Sequence, residues 1–326
     1  MKVRLPLPLL AALAAAFPAA TAAPAGTELG NVMFVGDSIT HGVNSASYRW
    51  ALHKIFTDNG ISYRAEGVKT GNDSGGVTAG TSYGGQIFNN EHSSQASARA
   101  WEISGRSNGN RFDGSNINNW LGLSGTKANG SAYSGQTFTG DNTPDTFFMM
   151  IGTNDLLSDG DNNSLFYRLD GVTSLLLGDM DSIVSSIRTA NSQASILVMT
   201  IPCWTQHSNG NLAETHQAVA SYNESLKEWG TNNAANGVKV IDINAGIIDA
   251  ASSTPFYGVR SMFNNPTADG LHPNAQGDLL MAGNLAKGMG YAGRSAGQER
   301  KATHELEVNF GQNPSITQQT LEANGF

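Results

Sequence analysis

Cysteine is nearly absent: Cys203 is the single one in 326 residues. No disulfide can form within the chain, so stability has to come from a packed core. Cys203 itself follows an apolar run, Ile196 to Pro202, and is read as a small packing residue rather than a reactive thiol. Charge is also scarce, at 14% of residues, and basic groups are outnumbered 19 to 27, giving a net charge of −8. A nucleic-acid partner would call for a basic face, which this balance argues against. Beyond the N-terminus no apolar run approaches the roughly 20 residues of a membrane-spanning helix.

The N-terminus is different. Met1 to Arg4 is charged, Leu5 to Phe17 is apolar but carries two prolines, and Ala20-Thr21-Ala22 supplies small residues. That order reads as a secretory signal peptide over residues 1–22. A secreted or periplasmic protein without membrane insertion is the expectation.

What the chain has in abundance is glycine, with 38 residues, and short strand-like runs alternating with helix-like stretches. Val32 to Val35, Ser62 to Glu66, Thr146 to Ile151, Ala194 to Ile201 and Val238 to Ile243 read as strands. Tyr48 to Asp58, Val172 to Ala190, Leu212 to Asn232 and Ala275 to Lys287 read as helices, the first closed by Asn59-Gly60. Continuous apolar strands alternating with helices predict a three-layer α/β/α domain over residues 23–292, with a five-stranded parallel sheet in the order 2-1-3-4-5. Residues 67–143 interrupt the rhythm with Gly, Asn, Ser and Thr. They are longer than a structureless loop usually is and are read as an ordered insertion held by Tyr83, Phe88, Trp101, Phe112 and Trp120, with disorder as the alternative that their low apolar content leaves open. Residues 293–326 form a polar tail with no assigned role.

Three short blocks carry chemistry. The first apolar run stops at Gly36-Asp37-Ser38-Ile39-Thr40, delivering a serine at the C-terminal edge of a strand, where open α/β sheets place their sites. Near the end of the α/β portion, Asp269-Gly-Leu-His272-Pro273 places a carboxylate three residues before an imidazole, in what reads as a loop before a helix. There Asp269 can accept the Nδ1–H of His272 and leave Nε2 to take a proton from Ser38. The third block, Gly152-Thr-Asn154-Asp155, follows the run Thr146 to Ile151. Its Asn154 amide and the Ser38 backbone N–H are candidate donors to an oxyanion.

Together, in this order, the blocks resemble the SGNH (GDSL) hydrolase superfamily from about residue 30 to 290. The resemblance implies a flavodoxin-like fold in which Ser38 is the nucleophile, His272 and Asp269 complete the triad, and Asn154 lies in the oxyanion hole. That family also uses a glycine N–H after the second strand. The nearest local match, Glu91-His92 through Ala100-Trp101, puts Ala100 at that position, with Gly84 or Gly85 as alternatives. Trp101 beside it is the candidate substrate-binding residue. No metal or organic cofactor is implied.

Other motifs are set aside. Gly80 to Gly84, Gly105 to Gly109 and Gly293 to Gly297 fit G-x-S-x-G without the strand-to-helix context that pattern requires. Asp159 to Asn163 lacks the glycine and glutamate of a calcium loop. His92, His207 and His216 lack ligand spacing. A polar rim without an apolar lid, and a resemblance to secreted sialate O-acetylesterase-like enzymes, favour acetyl esters on carbohydrate or sialic acid. A lysophospholipase or broad arylesterase is the enzymatic alternative. A non-catalytic glycan-binding protein is the alternative from another class. The sequence leaves the oligomeric state open.

Overall fold

The computed structural model describes residues 28–43, 45–71, 77–105, 116–123, 137–157, 169–202, 212–244, 263–265 and 269–291. Residues 1–22, expected to be a signal peptide, Cys203, Phe112, His207, the Asp159 to Asn163 segment and the polar tail lie outside the described residues.

Six strands lie in the order β3 (Lys69–Thr70), β6 (Glu91–Ser94), β1 (Glu28–Gly36), β7 (Thr146–Met150), β8 (Ser195–Met199) and β9 (Val238–Ile241), and β2 (Ser62–Glu66) pairs with β1 as a seventh. All pairings are parallel except that of β3 with β6. The sheet is therefore larger than the five strands expected. The added strands come from the presumed insertion, whose polar sequence Glu91-His-Ser-Ser94 carries no apolar strand signal. The partner of β1 changes along its length: β2 flanks residues 28–33, and β6 flanks Val35 and Gly36. At its C-terminal end β1 thus sits between β6 and β7.

Helices cover both faces, and the strand register shows which lies where. Successive strand side chains alternate in direction. Phe34 and Phe148 stack at 5.2 Å on one face, and Phe56 of α2 (Ser47–Asp58) packs 6.2 Å from Phe148. In register with them lies the face of Ile241, whose side chain approaches so closely that a Cβ on Gly288 of α8 (Ala275–Met289) would sit 2.3 Å away. On the opposite face, Val240 makes the same approach to Gly230 of α7 (Leu212–Asn232), at 2.2 Å. Helix α6 (Leu169–Ala190) packs beside α7. Both faces of β7 are fully buried, which is why Phe147-Phe-Met-Met150 runs apolar without alternation. Each such Phe or Met contributes about 1.5–3 kcal/mol over an exposed one.

Helix α2 ends with Asn59 as its C-cap and Gly60 in the left-handed region at φ 67°, as the Asn-Gly pair predicts. Within residues 67–143, β4 (Thr81–Tyr83) and β5 (Gln86–Phe88) form a hairpin whose turn is Gly84-Gly85, both at positive φ. Short helices α3 (Ala100–Ile103) and α4 (Ile117–Trp120) follow, with Trp120 and Phe88 fully buried. Among the described residues no helix is long and apolar enough to cross a membrane.

Candidate active site

Ser38 opens α1 (Ser38–His41), a single helical turn directly after β1. Gly36 makes this turn possible: a Cβ there would lie 2.2 Å from Thr40 Oγ1 and 2.6 Å from Met150 O. Any larger residue would push the turn off the end of the sheet. Asp37 is the N-cap, its Oδ1 accepting the Ile39 N–H at 2.9 Å. Ser38, at the first helical position, has no intrahelical acceptor for its own N–H. Asp37 is completely buried, and that burial pushes its carboxyl up to about 7.

Across the site, His272 Nε2 lies 2.9 Å from Ser38 Oγ. His272 belongs to β11 (Asp269–Pro273), which pairs antiparallel with β10 (Phe263–Asn265) and leads through Asn274 into α8. The Asp-x-x-His block is therefore a strand rather than the loop expected, because a partner segment supplies backbone hydrogen bonds that no local pattern announces. Asp269 begins that strand three residues before His272. Its side chain lies outside the described residues.

Helix α5 (Thr153–Leu156) leaves the end of β7 beside Ser38's strand. Gly152, its N-cap, has φ 125°, and a Cβ there would meet the Tyr222 ring at 2.9 Å. The Tyr222 hydroxyl in turn donates to the Ile151 carbonyl at 3.0 Å. Asn154 is partly exposed, and its Nδ2 donates to Ala98 O at 3.0 Å. An amide carries two N–H hydrogens, so this bond orients the group and leaves the second for an anion.

The next residue makes a parallel contact. The Asp155 carboxylate accepts the Ala100 N–H, at 3.0 and 3.2 Å to its two oxygens. Asn154 and Asp155 thus grip the segment Ala98 to Ala100 like a clip. Burial pushes the Asp155 carboxyl up to about 7.

This contact corrects the expectation for Ala100. Its N–H is committed to Asp155 and is no oxyanion donor. The alternatives are displaced too: Gly84 and Gly85 form the hairpin turn, and Gly84 packs on Thr57. Thr57 is near the C-terminal end of α2, about 15 Å along that helix from Ser47, which touches the Ser38 turn. Trp101 is half-buried on α3, which packs against α6. The structure brings together Ser38, His272 and the strand edge bearing Asn154, and leaves Ala100, Gly84 and Gly85 out as donors.

A second serine–histidine pair is a decoy. Ser94 Oγ and His92 Nδ1 are 2.6 Å apart, but His92 Nε2 is bound to Gly71 O at 3.0 Å. Both residues are buried, so no substrate reaches Ser94, and burial holds the ring's pKa well below its usual value. Gly80 to Gly84 lies on β4 and its turn, with no strand-to-helix elbow. Asp155, Tyr222 and the buried Arg49 were not singled out from sequence. Asp155 alone had a local signal, its place directly after Asn154.

Comparison with curated proteins finds no match. Among solved structures the fold is similar to a carbohydrate esterase family 3 structure from Talaromyces cellulolyticus, at 19% identity over 79% of this chain and 94% of that one, with a TM-score of 0.52. It is similar also to a family 3 carbohydrate esterase of Clostridium thermocellum, at 21% identity over 79% and 93% of the two chains, with a TM-score of 0.50. An acetyl esterase mutant with an acetate ion matches at 19% identity over 79% and 94%, again at 0.50. At such identities the likeness is one of fold. The model of the GDSL-like lipase/acylhydrolase family matches residues 34–280, most of the sequence and the span that holds Ser38 and His272: the chain belongs to that family.

Proposed function

We propose that the protein is an exported serine esterase that removes short acyl groups, acetyl above all, from carbohydrate. The observation that carries this reading is the 2.9 Å approach of Ser38 Oγ and His272 Nε2, between residues 234 apart in the chain. With its proton on Nδ1, His272 takes the Ser38 hydroxyl proton as Oγ attacks the ester carbonyl carbon. Asp269 is the residue we assign to orient that tautomer. The carbonyl oxygen becomes an oxyanion, held by the Ser38 N–H and the second Asn154 amide hydrogen. Collapse of the intermediate breaks the ester C–O bond, and His272 gives its proton to the departing alcohol. Water, deprotonated by the same imidazole, then releases the acid and regenerates Ser38.

The preference for acetyl groups on carbohydrate draws on the polar composition of residues 67–143 and on the fold shared with carbohydrate and acetyl esterases. Export rests on the charged, apolar and small-residue order of residues 1–22. The test is acetate release from a panel of acetylated glycans, alongside aryl esters of increasing chain length. Ser38→Ala should stay folded, lose nearly all hydrolysis and lose labelling by a fluorophosphonate. Activity rising steeply beyond about eight carbons would favour a lipase instead. An unimpaired Ser38→Ala would overturn Ser38 as the nucleophile, whereas a wild type that neither hydrolyses esters nor takes the label would leave glycan binding.

A further inference from the structure

Arg49 is completely buried in the first turn of α2, and among the described residues its hydrogen bonds go to neutral oxygens, with the Asp278 carboxyl acting on it only through space. Its five N–H donors have five neutral oxygen partners. Nε donates to Thr40 O at 2.8 Å, and one terminal nitrogen donates to His41 O and Gly71 O, each at 3.1 Å. The other donates to Asn90 Oδ1 at 2.6 Å and to Asn90 O at 3.4 Å. Burial pulls the guanidinium down to about 10, which still leaves it charged at neutral pH.

The pattern of acceptors is informative. A helix leaves its last four carbonyls without intrahelical partners, and α1 is only four residues long, so every carbonyl in it is an orphan. Ser38 O takes the N–H groups of Gly42 and Val43. Ser47 Oγ donates to Thr40 O at 3.0 Å. Thr40 O and His41 O, at the open end, go to Arg49. The other half of the fork is anchored on Gly71, just past β3, and on Asn90, just before β6. Asn90 is itself buried at φ 58° and tied to Val77 O. The open end of the turn carrying Ser38 is thus tied to the sheet edge through the Arg49 side chain.

We propose that Arg49 is a positioning residue for the esterase reaction: its planar fork fixes the turn so that Ser38 Oγ meets His272 Nε2. It touches neither substrate nor the reacting atoms. Lysine, a point charge with three donors, could not span both anchors, whereas the planar five-donor fork does. The inference rests on the reading of Ser38 as nucleophile.

The test compares Arg49→Lys, Arg49→Ala and Asn90→Gly with wild type, all per folded molecule. Asn90→Gly removes the shortest bond of the fork and suits the positive φ, so it carries the test if the arginine variants do not fold. Arg49→Lys is expected to lower kcat and the rate of fluorophosphonate labelling at least tenfold, with KM little changed. Asn90→Gly should lower both several-fold. Added guanidinium ion should restore much of the kcat of Arg49→Ala, which a purely structural role does not predict. Wild-type kcat and labelling in folded Arg49→Lys, or in folded Asn90→Gly, overturns the proposal. Ser38→Ala separates the two readings: if it is inactive while the Arg49 and Asn90 variants are normal, only the clamp is wrong.

Discussion

Asp155 should make this protein lose stability as pH rises through the neutral range. The residue is partly buried, and desolvation is the largest influence on its carboxyl, outweighing the Ala100 N–H and the positive charge of Arg99. Its pKa moves from 3.8 to about 7. In the unfolded chain Asp155 loses its proton near pH 4, whereas the folded protein holds it until about pH 7. Between those values the folded state binds more protons, so the stabilisation is full below about pH 4, declines with rising pH and levels off above about 7. A shift of about 3 units at about 1.4 kcal/mol each gives a ceiling of about 4 kcal/mol. Asp155→Asn keeps an oxygen to accept the Ala100 N–H but cannot ionise. Urea unfolding followed by circular dichroism at pH 4.5 and pH 8 measures the effect. Relative to wild type, the variant should gain about 2–4 kcal/mol on going from the lower to the higher pH. If the difference between the two proteins is the same at both pH values, the reasoning is refuted.

Asn154→Ala should lower kcat by about a hundredfold or more, the cost of about 3 kcal/mol expected on losing one oxyanion donor, while KM for a short ester changes little. Steady-state kinetics on an aryl acetate checks this, and a matching rise in KM would instead point to ground-state binding. Two helix glycines should respond oppositely to alanine in thermal unfolding. Gly230→Ala drives a methyl to 2.2 Å from Val240 Cγ2 and should cost about 1–3 kcal/mol. Gly178→Ala on α6, with open space around it, should gain up to about 1 kcal/mol. Equal responses would contradict the close approach of α7 to the sheet.

The parts of the fold legible in the sequence are those governed by local pattern. Phe147 to Met150 is apolar throughout and is buried on both faces, and Asn59-Gly60 closes α2 where such a pair closes helices. Strand β6 was not legible, because Glu91-His-Ser-Ser94 is polar. Its side chains are satisfied by one another and by Gly71 rather than by apolar burial. Ala100 was misassigned because an N–H has no sequence signature: only the fold shows that the Asp155 carboxylate already holds it. Arg49 reads as one more charged residue on an amphipathic helix, and nothing nearby in sequence reveals that its partners lie up to 41 residues away.

By itself the sequence determined the chemistry on offer. It supplies a serine after a strand, an Asp-x-x-His block, an Asn corner and the glycines that permit each turn, because these depend on residue type and short-range spacing. The tertiary structure decided which groups meet and which are already spent. It set His272 against Ser38, turned the Ala100 N–H toward Asp155 and closed a buried guanidinium over the end of the nucleophile's turn. Hydrogen bonds saturate, so a donor's availability is known only once all its long-range partners are in place.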